Sequence, residues 1–338
     1  MVERQEKPEL SEIGMSLYIG IDLGGTKIAG AVWNAAMLSV EAQKTIPTQA
    51  HLGPDEVIER IAGLVIELGK SVGLEPSAIP GVGVGVPATF DPDEGVIWLI
   101  PNLPGAWYGK PIIAILRQRL GCPVYLVNDA RAFTLAEATI GAGRGANSCV
   151  GITLGTGIGG GIAIQGRLYL GLTGTAGEFG HHSIDMYGPP DGAGNPGGWE
   201  GIASGPAIAA MGMKAVTQGI TTKIGELVGY DLNKITPEII ARAAALDDPV
   251  AKRILDTAGF YLGTGIANVI IMLAPERVVI GGGMAQLGEW IMKPIRETVK
   301  QRVHTVPLDR LAIVPAALGN EAGVIGAAIW ASQQGQSA

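Results

Sequence analysis

Asp22-Leu23-Gly24-Gly25-Thr26-Lys27, set directly behind the apolar run Leu17-Tyr18-Ile19-Gly20-Ile21, is the stretch on which the reading of this chain turns. A strand that ends in an aspartate and turns through two glycines concentrates a carboxylate, bare backbone N–H groups, a hydroxyl and an ammonium in a small space. Such a set suits a magnesium-bound phosphate chain. Glycine lets the backbone approach phosphate oxygens and admits positive φ. Taken alone, the segment also reads as a tight β-hairpin turn with incidental polar residues.

A second loop of this kind weighs against incidence. Leu154-Gly155-Thr156-Gly157-Ile158-Gly159-Gly160-Gly161 follows the apolar run Cys149-Val150-Gly151-Ile152-Thr153. Each loop closes an apolar strand and leads into another, Ile28 to Val32 and Ile162 to Ile164. The pair predicts two related half-structures facing one cleft, with nucleotide phosphates between them. Neither loop fits the Gly-Lys-Ser/Thr P-loop, nor the spacing of the dinucleotide fingerprint.

With 338 residues, 47% of them apolar, the chain can bury a large core and is long enough for two domains. The balance of 24 basic and 31 acidic residues gives a net charge of −7 without a long block of like charge. That argues against nucleic acid and anionic membranes as partners. Cys122 and Cys149 lie in or beside apolar strand patterns and read as buried hydrophobes in a reducing, cytoplasmic compartment. Two cysteines exclude a disulfide framework and a four-cysteine zinc site. Met1 to Gly14 is polar and lacks the apolar region of a signal peptide, so residues 1–15 are expected to be disordered, with Met15 an alternative start. Apolar stretches such as Ile266 to Ala274 are too short to span a bilayer.

Strands and helices alternate along the chain, the signature of an α/β protein. Pro54-Asp55-Glu56 opens a helical pattern, Gly81 to Val86 is a buried strand, Lys110 to Leu120 a helix, and Val124 to Val127 a strand delivering Asn128-Asp129 at its carboxyl end. The segment from Gly171 to Gly205 is glycine-rich and aperiodic, as functional loops and lids are. Helices then dominate: about Pro206 to Gln218, from Thr236-Pro237-Glu238, and about Pro249 to Leu273. Val278-Val279-Ile280 is a last core strand feeding Gly281-Gly282-Gly283, and a helix over about Ala322 to Ala331 closes the fold.

Asp129 at a strand end is the candidate catalytic base, since ligands of α/β sheets sit beyond the carboxyl ends of the strands. Phosphoryl transfer asks little covalent chemistry of a protein: a carboxylate accepts the hydroxyl proton while metal and backbone donors hold the phosphates. Asp22 would then hold magnesium through water. The competing reading of Asn128-Asp129 is a cap on the helix that follows. Glu178, His181 and Glu200 form a polar constellation suited to vicinal sugar hydroxyls, or a chance cluster of loop side chains.

The Asp22–Lys27 loop, Asn128-Asp129-Ala130, Gly155 to Gly161 and Gly177-Glu178-Phe179-Gly180-His181 occur in the order seen in the ROK family of sugar kinases and repressors. Val279-Ile280-Gly281-Gly282-Gly283 is similar to its adenosine-binding segment and Gly319-Asn320-Glu321-Ala322-Gly323 to its last helix start. The resemblance, which runs from about Leu17 to Trp330, implies an α/β, two-domain actin-like ATPase (ribonuclease H-like) fold with a cleft between the domains. The expected division is 16–127 with the C-terminal helix 318–334 for one domain and 128–317 for the other. Implied also are ATP and Mg2+ as cofactors and phosphorylation of a hexose, glucose first, at its 6-hydroxyl. Asp129 would be the base, with Asn102, Asn128, Glu178, His181 and Glu200 on the sugar. Asp22, Gly24, Gly25, Thr26, Lys27, Gly155, Thr156, Gly157, Gly281, Gly282 and Gly283 would lie on the nucleotide and its metal. The expected assembly is a homo-oligomer, dimer or tetramer. Kinases of N-acetylmannosamine or N-acetylglucosamine, fructokinases, a polyphosphate donor and a non-catalytic sugar sensor are the alternatives. A repressor would need a helix-turn-helix, for which Met1 to Ser16 leave no room.

Two departures stand out. Family members usually carry three zinc-binding cysteines between the motif histidine and the second sugar glutamate, and this chain has Asp191, Ala193 and Gly198 there. The structural zinc is therefore expected to be absent, a substitute site from His181, His182 and Asp191 being the alternative. Pro87-Ala88-Thr89 stands where many relatives have Pro-Gly near the sugar.

Overall fold

The computed structural model describes residues 16–101 and 103–335. The expected disorder of 1–15, the alternative start at Met15 and the sugar contact of Asn102 lie outside the described residues. Backbone contacts divide the chain into two units, one from the described residues of Met1–Ile140, Leu170–Ala176 and Asn320–Ala338, the other from Gly141–Tyr169 and Gly177–Gly319.

The first unit is built on strands β1 (Leu17–Leu23), β2 (Lys27–Asn34), β3 (Ser39–Pro47) and β4 (Val82–Val86), a small ribbon of β5 (Thr89–Phe90) and β6 (Ile97–Leu99), and β7 (Val124–Asn128). The main sheet has the order β3-β2-β1-β4-β7, antiparallel through β1 and parallel beyond it. On one face Val57, Ile58, Ile61, Leu64, Val65 and Leu68 recur at helical spacing along Pro54–Ser71, whose proline and two acidic residues suit the first turn. On the other face the helix Ala322–Gly335 lies so close that a Cβ at Gly83 would stand 1.8 Å from Ala327 O. Small side chains on both surfaces make that contact close-packed.

The sequence places a domain boundary before Asn128, whereas the helix Asp129–Thr139 goes with the first unit. It packs on the C-terminal helix, where a Cβ at Gly326 would meet Ala132 O at 1.8 Å.

The second unit repeats the plan. Strands β8 (Ser148–Leu154), β9 (Ile158–Ile164), β10 (Arg167–Leu168), β11 (Arg277–Gly281) and β12 (Ala312–Pro315) form a sheet of order β10-β9-β8-β11-β12, again a hairpin continued by parallel strands. The 25-residue helix Pro249–Leu273 is long and apolar enough to cross a membrane by length and composition, unlike the shorter stretch Ile266 to Ala274 read from the sequence. It is instead the core of this unit: Leu262, Ile266 and Ile270 are fully buried, and the Trp199 indole lies against Gly265. Both cysteines are buried and neither is in a disulfide, and burial pushes the Cys122 thiol up to about 11, so it is a poor nucleophile at neutral pH.

Candidate functional site

Strand register assembles the first unit's candidates. Asp22 pairs with Gly85 across β1 and β4, and Val86 pairs with Asn128 across β4 and β7. Asp22 and Asn128-Asp129 therefore stand at the carboxyl ends of parallel strands with one strand between them. Asn128 is the cap of the following helix, its Oδ1 accepting from Ala130 N at 3.0 Å and Arg131 N at 3.3 Å. This fixes Asp129 as the first helical residue, where its Oδ1 also accepts from Ala130 N at 2.8 Å. The Asn128 amide nitrogen lies 3.5 Å from Ala88 O, so the altered Pro87-Ala88-Thr89 segment adjoins this corner.

The Gly24–Thr26 turn is a β-hairpin, as its alternative reading has it, with Gly24 N donating to Lys27 O. Thr48, fully buried, pins it: its hydroxyl donates to Gly24 O at 2.7 Å and its N–H to Thr26 O at 3.0 Å. Gly25, Thr26 and Lys27 remain exposed. Neither Gly24 nor Gly25 has positive φ, so these glycines serve close approach rather than backbone handedness. Asp22 is packed against Gly323, where a Cβ would lie 2.8 Å from its Oδ2. Burial pushes its carboxyl up to about 6, against the lowering charge of Lys27. A hydrated divalent cation would supply the compensation that Lys27 supplies only in part, so the residue fits magnesium.

In the second unit the Gly155–Gly157 turn closes β8 onto β9, with Gly155 N donating to Gly157 O and Gly205 N to Gly155 O. A groove of about 510 Å3 opens beside it, lined by Gly155, Thr156, Gly205, Pro206, Thr236, Glu238, Gly283 and Met284 among others. Of the expected nucleotide residues, Gly155, Thr156 and Gly283 line this groove. Gly281 ends β11 beside Thr153 of β8, while Gly282 turns with φ +84° against Leu154 and Gly157 faces Glu200. Thr236 and Glu238 are legible in the sequence only as a helix start, since nothing in their spacing marks a binding residue.

Glu178, His181 and Glu200 meet in this unit. Gly180 sits against Ile158 O, holding the Phe179–His181 turn on β9. Glu200 Oε2 accepts from Ile158 N at 2.9 Å, and His181 Nε2 stands 3.9 Å from Glu178 Oε2. His181 Nδ1 lies 2.9 Å from Asp191 Oδ2.

The three positions expected to have lost thiolates converge on that Asp191 carboxylate: Ala193 N donates to it, and a Cβ at Gly198 would lie 2.4 Å from it. The substitute metal site does not assemble, because His182 turns toward Phe179 O and packs against Trp199, 5.4 Å between ring centres. Burial also holds the His182 ring below its ordinary pKa, against the raising effect of the Phe179 carbonyl. Among the described residues no group of three or more His, Cys, Asp and Glu side chains is arranged to hold a metal ion.

A family model described as the ROK family matches residues 18–334. Glucokinase of Halalkalibacterium halodurans is 34% identical over 322 residues, covering 95% of this chain and 96% of that protein. The ROK family glucokinase of Streptomyces griseus, solved with glucose and AMPPNP, superposes with a TM-score of 0.78 at 31% identity over 94% of this chain and 99% of that one. The ROK hexokinase of Thermus thermophilus superposes with a TM-score of 0.79 at 30% identity, covering 95% of this chain and 100% of that one.

Proposed function

The chain belongs to the ROK family and has its actin-like ATPase fold, and we propose that it transfers the terminal phosphoryl group of ATP to the 6-hydroxyl of a hexose, with glucose the preferred acceptor. The observation that carries this reading is the strand register that sets Asp22 and Asn128-Asp129 at neighbouring carboxyl ends of one parallel sheet.

In this reading Asp129 orients the sugar 6-hydroxyl and accepts its proton as the oxygen attacks phosphorus. Its place as the first residue of the helix Asp129–Thr139 sets the direction of the carboxylate. Asn128, Asn102, Glu178, His181 and Glu200 hold the remaining hydroxyls, so that the attacking oxygen is presented in one orientation. The nucleotide is assigned to the groove beside Gly155, Thr156 and Gly283 of the second unit, and the turns at Gly24–Lys27 and Gly155–Gly157 are each of the kind whose backbone N–H groups hold phosphates. Asp22 would hold magnesium through its water, and the ion, when bound there, would supply neutralising charge to the phosphate oxygens. The Gly177–His181 motif looks like that of glucokinases and N-acylhexosamine kinases rather than fructokinases, and glucose is preferred over the N-acylhexosamines because this chain is similar to glucokinases at 31–34% identity. The same reading has the protein act in the cytoplasm as a homo-oligomer, to be sized by light scattering.

An ADP-release assay with ATP and magnesium over glucose, mannose, fructose, N-acetylglucosamine and N-acetylmannosamine tests the proposal, with polyphosphate as a second donor. Glucose with ATP should give the highest kcat/KM. Sugar binding without ADP release from any hexose would make the protein a sensor instead.

A further inference from the structure

The carboxylate of Asp191 is fully enclosed, its side chain 0% exposed, and nearly every partner it has comes from the loop it belongs to. Its Oδ1 accepts from Ala193 N and Asn195 N, both at 2.9 Å, and its Oδ2 accepts from Asn195 Nδ2 at 3.2 Å. The remaining bond leaves the loop, to His181 Nδ1 at 2.9 Å. Burial acts to raise the Asp191 carboxyl, but the bonds from His181, Asn195 and Ala193 outweigh it and hold it below its ordinary pKa. The group is therefore ionised at neutral pH and can only accept. A hydrogen on Nδ1 follows, which leaves the Nε2 of a neutral imidazole with a lone pair.

We infer that Asp191 is a positioning residue for sugar recognition: it locks His181 in the Nδ1–H tautomer so that Nε2 and the Glu178 carboxylate form a pair of adjacent acceptors for two neighbouring hydroxyls of the acceptor sugar. This rests on the sugar-kinase reading above for the identity of the ligand, while the tautomer itself does not. Nε2 and Glu178 Oε2 are 3.9 Å apart, too far for a direct bond and near enough for adjacent hydroxyls to donate one to each. Asparagine at 191 reverses the logic. Its single oxygen is claimed by the Ala193 and Asn195 N–H groups, so its NH2 faces His181 and drives the ring to the Nε2–H form. Nε2 then presents a donor where the sugar also donates.

The test begins with the unaltered protein. At pH 8 the 15N signals of His181, identified as those missing from His181→Gln, should show a protonated Nδ1 and a bare Nε2. A wild-type Nε2–H tautomer overturns the inference without any variant. In Asp191→Asn the pattern should invert, and KM for glucose should rise about tenfold or more while kcat stays within about threefold. That KM penalty should vanish on the one monodeoxyglucose that lacks the hydroxyl facing Nε2. Asn195→Ala is the control: it weakens the loop but keeps the His181 contact, and should lower the melting temperature without inverting the tautomer. An Asp191→Asn protein that melts early yet keeps the Nδ1–H form and the wild-type KM would reduce Asp191 to a loop brace. If the unaltered protein phosphorylates no sugar, the kinase reading falls, and the tautomer assignment still stands or falls on the 15N spectrum.

Discussion

Glu200 Oε2 accepts a hydrogen bond from Ile158 N at 2.9 Å, joining a candidate sugar carboxylate to the residue that follows the second glycine turn. The intervening space belongs to Gly157, where a Cβ would lie 2.3 Å from that same oxygen. Gly157→Ala should therefore displace the Glu200 carboxylate, which as the end of a flexible side chain can swing away at small cost in stability. KM for ATP and for glucose should rise together and kcat fall about tenfold or more, with the melting temperature nearly unchanged. A change confined to ATP would show that Glu200 does not depend on the turn.

The hairpins and the long helix Pro249–Leu273 are legible in the sequence because glycine pairs and proline punctuate apolar runs whose period is unambiguous. The edge strand β3, Ser39–Pro47, is not, since it is half exposed and its sequence SVEAQKTIP carries little apolar alternation. The five-residue helix Lys223–Leu227 is too short for periodicity to register. A strand end alone puts the domain boundary at Asn128. What draws the next helix back into the first unit is its packing on Ala322–Gly335, a contact with no local signal. In the site, the motif residues are visible because chemistry restricts them. Asp191 is visible as a missing cysteine and as a candidate metal ligand but not as a partner of the loop's own N–H groups, because that role depends on donors brought to it by the folded loop.

Asp129→Asn should lower kcat by about a hundredfold to ten-thousandfold while glucose affinity stays within about tenfold. The amide keeps the shape of the carboxylate, and the Asn128 cap that begins the helix is untouched. Titration calorimetry and the ADP-release assay separate the two effects. Turnover near the wild-type rate would remove Asp129 from the role of base.

Asp248 is 3% exposed and caps the long helix, accepting from Val250 N at 2.8 Å and Ala251 N at 2.9 Å, as well as from Lys223 N and the Thr222 hydroxyl. Asp248→Ala removes the cap and strands several buried donors, so a loss of about 3 kcal/mol or more is expected in urea unfolding at pH 7. Burial acts to raise this carboxyl, but the hydrogen bonds to it prevail and its folded pKa is lowered. Its stabilisation is present above the ordinary carboxylate range and lost as pH falls through the depressed value. The gap between wild type and variant should accordingly narrow in strong acid. A loss below about 1 kcal/mol at pH 7 would mean that water replaces the carboxylate.

Elemental analysis of the purified protein should find no stoichiometric zinc, and activity should survive a zinc-selective chelator when magnesium is resupplied in excess. The Asp191 carboxylate, with its bonds from Ala193, Asn195 and His181, and the prolines Pro189, Pro190 and Pro196 already order the loop that a metal orders elsewhere. About one tightly held zinc per chain, with activity lost on its removal and restored by zinc alone, would sink this expectation.

Asp22 makes the opposite pH prediction from Asp248. Its folded carboxyl is pushed up from 3.8 to about 6 by burial, so the fold binds a proton that the unfolded chain has already released. Below about pH 4 both states are protonated and Asp22 costs nothing. Between about pH 4 and 6 the unfolded state ionises first and stability falls, and above about 6 the whole penalty is present. At about 1.4 kcal/mol for each pH unit between those two values, the penalty has a ceiling of about 3 kcal/mol. Asp22→Asn keeps the shape and cannot ionise, so without added metal it should be more stable than wild type at pH 8 and match it near pH 4. Urea midpoints measured across that range decide the matter. A variant that is less stable at pH 8, or a difference that does not change with pH, would show that the Asp22 charge is already compensated and that no cation is called for beside it.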